Sequence, residues 1–294
     1  SGFLAALLLV SVAGSASPAE DDLLGSLVAM RALDERVARI GHRLAVADAD
    51  LCQDLQWLPG FAVHDLSQYG GAYRESAIRA FHLGTLPAVL AVPEGGPAGQ
   101  AGVHADDVLR SLDGRALPED EGDAVGSFER METILDAIEQ AFADGAAQVD
   151  IRRGSAEATL HVQAERGCAS RFQIIPSRRL NALADGRYVQ LTTAIADYAQ
   201  DEQELAAVLA HEFAHNVLGH RRRLDAANVE RGFFGNFGRN ARLIRETEIE
   251  ADRLSVYLLE RAGYDPEAPV RFWSRFGRRG LNFLGSSTHP NWRH

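Results

Sequence analysis

A chain of 294 residues with 46% hydrophobic and 24% charged residues has an ordinary globular composition, with apolar material for about two domains with packed cores. Its formal net charge of −11 argues against nucleic acid as a partner, because a phosphate backbone is held by a surplus of positive charge. All thirty basic residues are arginine, and no function is attached to that bias.

The first predicted element is apolar. Residues 3–16 carry no charge and end in small residues ahead of Ser17 and Pro18. That is the pattern of the hydrophobic core and cleavage end of an export signal. A membrane span needs roughly twenty apolar residues. Residues 1–19 are therefore read as the remnant of a signal peptide, with an uncleaved anchor and a buried helix as alternatives. From Asp22 to Ala47, apolar residues at 23, 24, 27, 28, 30, 33, 37 and 40 give the spacing of a long amphipathic helix, the main element of a helical segment over 20–75. Within that segment, Trp57 to Leu66 reads as irregular or strand. His64-Asp65 lacks an accompanying nucleophile and is read as structural. Cys52 and Cys168 make an even count, which in an oxidising compartment permits one disulfide.

Between 76 and 165 the texture changes to short strands and turns. Ala88–Val92 and Asp107–Gly114 read as strands, the second ending in an Asp-Gly turn; Met131–Phe142 has helical spacing; Ala147–Gly154 with Ala158–Val162 reads as a hairpin. The glycine run 95–102 has neither the spacing nor the Lys-Ser/Thr end of a phosphate loop. The order of elements and the stretch Gly96–Gly114 resemble a PDZ domain of the bacterial protease type, with Asp106-Asp107 where that family has Gly-Asp. The resemblance implies a carboxylate-binding loop at Leu83, Gly84 and Thr85. It also implies a polypeptide bound by strand addition to an Ala88–Val92 edge.

The segment 170–294 carries the chemistry. The strand Tyr188–Thr193 is read as an edge on which an extended substrate pairs, with Tyr188 and Val189 as contacts. The run 201–220 is rich in helix formers, with apolar residues at 205, 208, 209, 213 and 217, and contains His211-Glu212-Phe213-Ala214-His215. Positions i and i+4 share a helix face, so two neutral imidazoles grip one ion with Glu212 beside them as general base. Such an ion, held also by one carboxylate, is a Lewis acid with an open position that activates water. A second helix over 246–260 offers Glu248 as third ligand and Asp252, one turn on, as hydrogen-bond partner for an imidazole N–H. Glu246 and Glu250 read as solvated charges, Glu250 remaining the second candidate ligand. A five-residue helical step turns His220 roughly 140° from His215, so His220 is read as a helix-end residue.

His211-Glu-Phe-Ala-His215, Gly219-His220 and Glu248-Ile-Glu-Ala-Asp252 resemble the M48 peptidases, zinc endopeptidases of the gluzincin type. The likeness extends over about 170–294, from Asn181–Thr193 upstream to Ala262–Pro266 and Ser287–Pro290 downstream. It implies one Zn²⁺ on His211, His215 and Glu248, with Glu212 as base. His289 is a candidate oxyanion donor or an inhibitory fourth ligand. Arg231–Arg239 interleaves Gly and Phe and reads as a mobile, partly apolar loop: a substrate gate, a membrane-surface contact or a disordered segment. The expected fold is α+β: a mostly helical zincin-type domain over 170–294, preceded by a β-rich PDZ-like domain over 76–165 and an N-terminal helix. The expected function is an exported zinc endopeptidase of the periplasm or cell envelope of a Gram-negative-type bacterium, acting on misfolded or envelope proteins. The alternative is a catalytically restrained adaptor or chaperone.

Overall fold

In the computed structural model, residues 18–120, 122, 126–229 and 238–278 are described. The export-signal stretch 3–16, His289 and most of the Gly/Phe loop lie outside these residues. The expected long amphipathic helix is α1 (Pro18–Ala47). Its apolar stripe serves two cores. Leu27 joins Leu66, Ala77, Phe81, Leu83 and Ala88. Farther along, Val37, Ile40 and Leu44 are wholly buried in the largest core, against the helix of the His-Glu motif. One face of one helix thus braces both halves of the chain.

After α1 comes β1 (Leu55–Leu58), paired antiparallel with β8 (Glu165–Cys168). Beside this ladder Cys52 and Cys168 form a disulfide, with Cα atoms 5.6 Å apart across 116 residues of sequence. Between the two strands lies a six-stranded sheet of β2 (Ala62–His64), β3 (Ala88–Ala91), β4 (Val108–Leu112), β5 (Arg115–Ala116), β6 (Ala146–Arg153) and β7 (Ala156–Gln163). The order is β2-β3-β4-β6-β7, with β5 returning onto β4. Asp113 and Gly114 make the β4–β5 turn with φ of 48° and 73°, the left-handed pair that a two-residue hairpin demands. Helices α2 (Ala72–Phe81), α3 (Pro97–Gln100) and α4 (Glu129–Ala141) accompany the sheet. Met131, Ile134 and Ile138 of α4 are buried with Val89, Leu109, Val149 and Ile151 in a second core.

Three expectations for this module need correction. Strand β3 has no open edge: β2 pairs on one side and β4 on the other, so a peptide cannot add along Ala88–Val92. The strand that fills the edge, β2, comes from the segment read as helical, so the sheet draws on both sides of the expected 75/76 boundary. Leu83 is 3% exposed and packs in the small core beneath α1 instead of facing a ligand. Beyond exposed Gly84, the Thr85 carbonyl accepts from Arg130 and from the Asp120 N–H. His64 and Asp65 are structural, as expected. Burial pushes the His64 imidazole down to about 4, while Asp65 caps the 3-10 turn Leu66–Gln68 and takes both arms of the Arg130 guanidinium.

The downstream half begins with β9 (Arg171–Ile175), β10 (Ala182–Ala184) and β11 (Tyr188–Thr192), in the order β10-β11-β9. Here too the expected edge is interior. Strand β11 pairs antiparallel with β10 and parallel with β9, and Tyr188 and Val189 are 7% and 0% exposed. They are therefore core residues and not substrate contacts; the edge strands of this sheet are β10 and β9. Then follow α5 (Thr193–Tyr198), α6 (Glu202–Val217), α7 (His220–Ala226), α8 (Gly238–Arg261) and α9 (Ala268–Arg278). Asp201 caps α6 by accepting the Glu204 N–H at 2.9 Å, and α6 is buried on nearly every face between the sheet, α8 and α9. Arg171 of β9 and Arg187 bind Asp136 and Glu139 of α4, joining the β-rich module to the helical half. No described helix is long and apolar enough to cross a membrane.

Candidate metal centre

Helix α6 presents His211 and His215 one turn apart, with ring centroids 5.1 Å apart and their Nε2 atoms 3.4 Å apart. Helix α8 packs along α6 and brings Glu248 to the same point. Its Oε2 lies 3.5 Å from His211 Nε2 and its Oε1 3.8 Å from His215 Nε2. One donor atom from each of the three residues falls within 4.8 Å of the others. A tetrahedral Zn²⁺ with bonds of about 2.1 Å spaces its donors about 3.4 Å apart, so two imidazoles and a carboxylate gathered within 4.8 Å are the donor set and the scale that the ion requires. His211, Glu212 and Glu248 are 2%, 4% and 7% exposed.

The electrostatics point the same way. Burial by itself pushes the His211 imidazole down. Hydrogen bonds to Asp252 and Glu248, with the charges of Glu212 and Glu248, outweigh burial and raise it well above the ordinary histidine range. His211 Nδ1 meets Asp252 Oδ1 at 2.9 Å, which holds a proton on Nδ1 and turns Nε2 toward the other donors.

Of the residues read from the sequence, the structure brings together His211, Glu212, His215, Glu248 and Asp252. Glu250 is not in the donor group. It sits on the other side of the centre, bound to His220 and Arg223. The hydrogen bond from Arg223 and then that from His220 hold its carboxyl below the usual range. Glu246 pairs with Arg242 one turn earlier on the surface of α8.

Three residues that sequence reasoning passed over adjoin the centre. His220 is 1% exposed and its Nδ1 lies 2.9 Å from His215 Nδ1. Its own Nε2 lies 3.0 Å from Glu250 Oε2. The expected 140° step failed because the helix does not continue: α6 ends at Val217, Gly219 takes φ 61° and ψ 33°, and α7 restarts at His220. Gly219 was the available signal, since a glycine at a helix end marks a left-handed cap. Asn216 follows His215. Its Oδ1 accepts the Gly186 N–H at 2.8 Å, and its Nδ2 donates to Ser170 Oγ at 3.1 Å, so α6 holds the β10–β11 turn directly. Trp273 of α9 stands with its ring 5.8 Å from that of His211.

Residues 155–232 match the family model described as Peptidase family M48, a stretch that contains the His-Glu motif and His220. The mitochondrial metalloendopeptidase OMA1 of Schizosaccharomyces pombe is 31% identical over 128 residues, covering 36% of this chain and 38% of that protein. A putative β-barrel assembly-enhancing protease of Vibrio cholerae is 32% identical over 133 residues, 35% of this chain and 28% of the other. The β-barrel assembly-enhancing protease of Escherichia coli is 28% identical over 154 residues, 40% of this chain and 31% of the other. The chain thus spans well under half the length of these relatives. Among solved structures, the HtrA3 PDZ domain bound to a phage-derived ligand aligns with 38% of this chain and 88% of its own, at 16% identity and a TM-score of 0.26, a likeness too slight to carry an argument.

Proposed function

We propose that this chain, which carries an M48 peptidase segment, is a zinc-dependent endopeptidase of the cell envelope that cleaves misfolded or envelope polypeptides. The observation that carries the reading is the convergence of His211, His215 and Glu248 donors within 4.8 Å of one another, with Glu212 buried beside them. The disulfide between Cys52 and Cys168 supports an oxidising compartment.

Zn²⁺ held by His211, His215 and Glu248 would supply Lewis acidity toward the scissile carbonyl and toward a water molecule. Glu212 takes a proton from that water and passes one to the departing amine, a role suited to a carboxylate kept from bulk solvent. Asp252 keeps the His211 proton on Nδ1. The outer edge of β10, which packs on α6, is where an extended substrate would pair. The organisation that accompanies this reading is a β-rich module of β2–β7 with α2–α4 and a metal-binding half from β9 to α9, sharing α1. Arg171 and Arg187 tie the module to the sheet beside α6.

The test is degradation of unfolded casein by the purified protein before and after chelation. The reading predicts loss of cleavage with chelator and its return with about one equivalent of zinc. Cleavage that persists in the metal-free protein would refute it.

A further inference from the structure

We infer that His220 is a positioning residue of the metal centre: it accepts the His215 Nδ1 proton and ties that ring to the Glu250–Arg223 pair at the protein surface. The inference rests on the metal-binding reading above and concerns how the second imidazole is held.

To ligate, His215 must keep the Nε2 lone pair that faces His211 Nε2 at 3.4 Å and Glu248 Oε1 at 3.8 Å, so its proton resides on Nδ1. That N–H points at His220 Nδ1, 2.9 Å away. Two ring nitrogens at this distance bond only if one donates, so His220 Nδ1 is the acceptor and its proton is on Nε2. His220 Nε2 in turn faces Glu250 Oε2 at 3.0 Å, and an ionised carboxylate only accepts. Arg223 binds the same carboxylate from its other side. Every proton from the ligand to the surface then has one assignment.

The opposite assignment has a chemical consequence. If His220 donated from Nδ1, His215 would carry its proton on Nε2, aimed into the donor group, and would leave the ligand set. The direction of one buried hydrogen bond therefore decides whether His215 can bind metal, and Glu250 sets that direction by claiming the His220 Nε2 proton. His211 reaches a carboxylate directly through Asp252. His215 reaches one through an imidazole spacer, which only the break at Gly219 can place there.

Two measurements on the full chain test this. In the first, zinc affinity is measured by competition with a chromophoric chelator, with the melting of the metal-free protein as the folding control. His220→Phe, which keeps a ring without nitrogen, is expected to bind zinc about 10–100-fold more weakly. His220→Asn, whose amide oxygen can still accept from His215, is expected to recover most of that loss. Wild-type affinity in His220→Phe, or equal weakness in the two variants with unchanged melting, would overturn the inference. The second needs no variant: imidazole ¹⁵N spectra of the zinc-loaded wild type should show His220 as the Nε2–H tautomer, and the Nδ1–H tautomer would overturn the inference even if His220→Phe fails to fold. A wild type that binds no zinc would overturn the metal reading itself, a result distinct from either of these.

Discussion

Replacing Asp34 with Asn should stabilise the protein at neutral and alkaline pH. Asp34 lies on the stretch of α1 that packs on β9, and its carboxyl accepts the backbone N–H of Ile174. Burial raises its pKa from 3.8 to about 7; the Ile174 hydrogen bond lowers it in part and the neighbouring Glu35 charge adds to the rise. Between these two values the folded chain binds the proton more tightly than the unfolded chain, so stability falls as pH climbs from about 4 to 7 and is flat beyond. The shift of about three units sets a ceiling of about 4 kcal/mol on the cost at pH 8, and partial solvent access to the carboxyl trims the expected effect to about 2–3 kcal/mol. Asn keeps an acceptor for the Ile174 N–H and removes the ionisation. Urea unfolding of both proteins at pH 5, 6, 7 and 8 checks this, the difference between the curves isolating Asp34 from other titrating groups. A difference in favour of Asn that at pH 5 is under half its pH 8 value, and that grows to a few kcal/mol at pH 8, is expected. A difference independent of pH, or one that grows toward acid, would refute the reasoning.

Removing the disulfide by replacing Cys52 and Cys168 with Ser should lower stability by about 5 kcal/mol by the chain-entropy argument for a 116-residue separation, read as a lower urea midpoint; reduction of the wild type should reproduce most of the shift. Arg130→Ala should cost about 3–5 kcal/mol at pH 7, because Asp65, wholly buried, loses both guanidinium bonds; calorimetric or urea unfolding would register it, and a loss under 1 kcal/mol would contradict the assignment. Asp252→Ala should weaken zinc binding about 10–100-fold in chelator competition while the metal-free protein melts at the wild-type temperature.

The parts of the centre that were legible in the sequence are those governed by one continuous helix. His211 and His215 on α6, and Glu248 with Asp252 on α8, follow from a four-residue step on a surface whose geometry is fixed. His220 was misplaced because the same step was carried across Gly219, where the helix breaks and turns its next residue back toward the site. Strand edges failed for another reason. Alternation and turn signals located β3, β4, β6, β7 and β11, but whether a strand is central or peripheral depends on partners distant in sequence. Val63 closes onto Val89 and Ala182 onto Leu191, and local pattern carries no record of either pairing. The role of α1 was legible as an amphipathic period, while its division between two cores was not.

The central claim is that Glu212 acts on substrate at a metal held by His211, His215 and Glu248. Its most direct test compares cleavage of unfolded casein by wild type and Glu212→Gln at equal zinc content. The account predicts one bound zinc in both and a rate at least about 100-fold lower in the variant, the contribution of a positioned general base. A zinc-loaded Glu212→Gln that cleaves at the wild-type rate would contradict it.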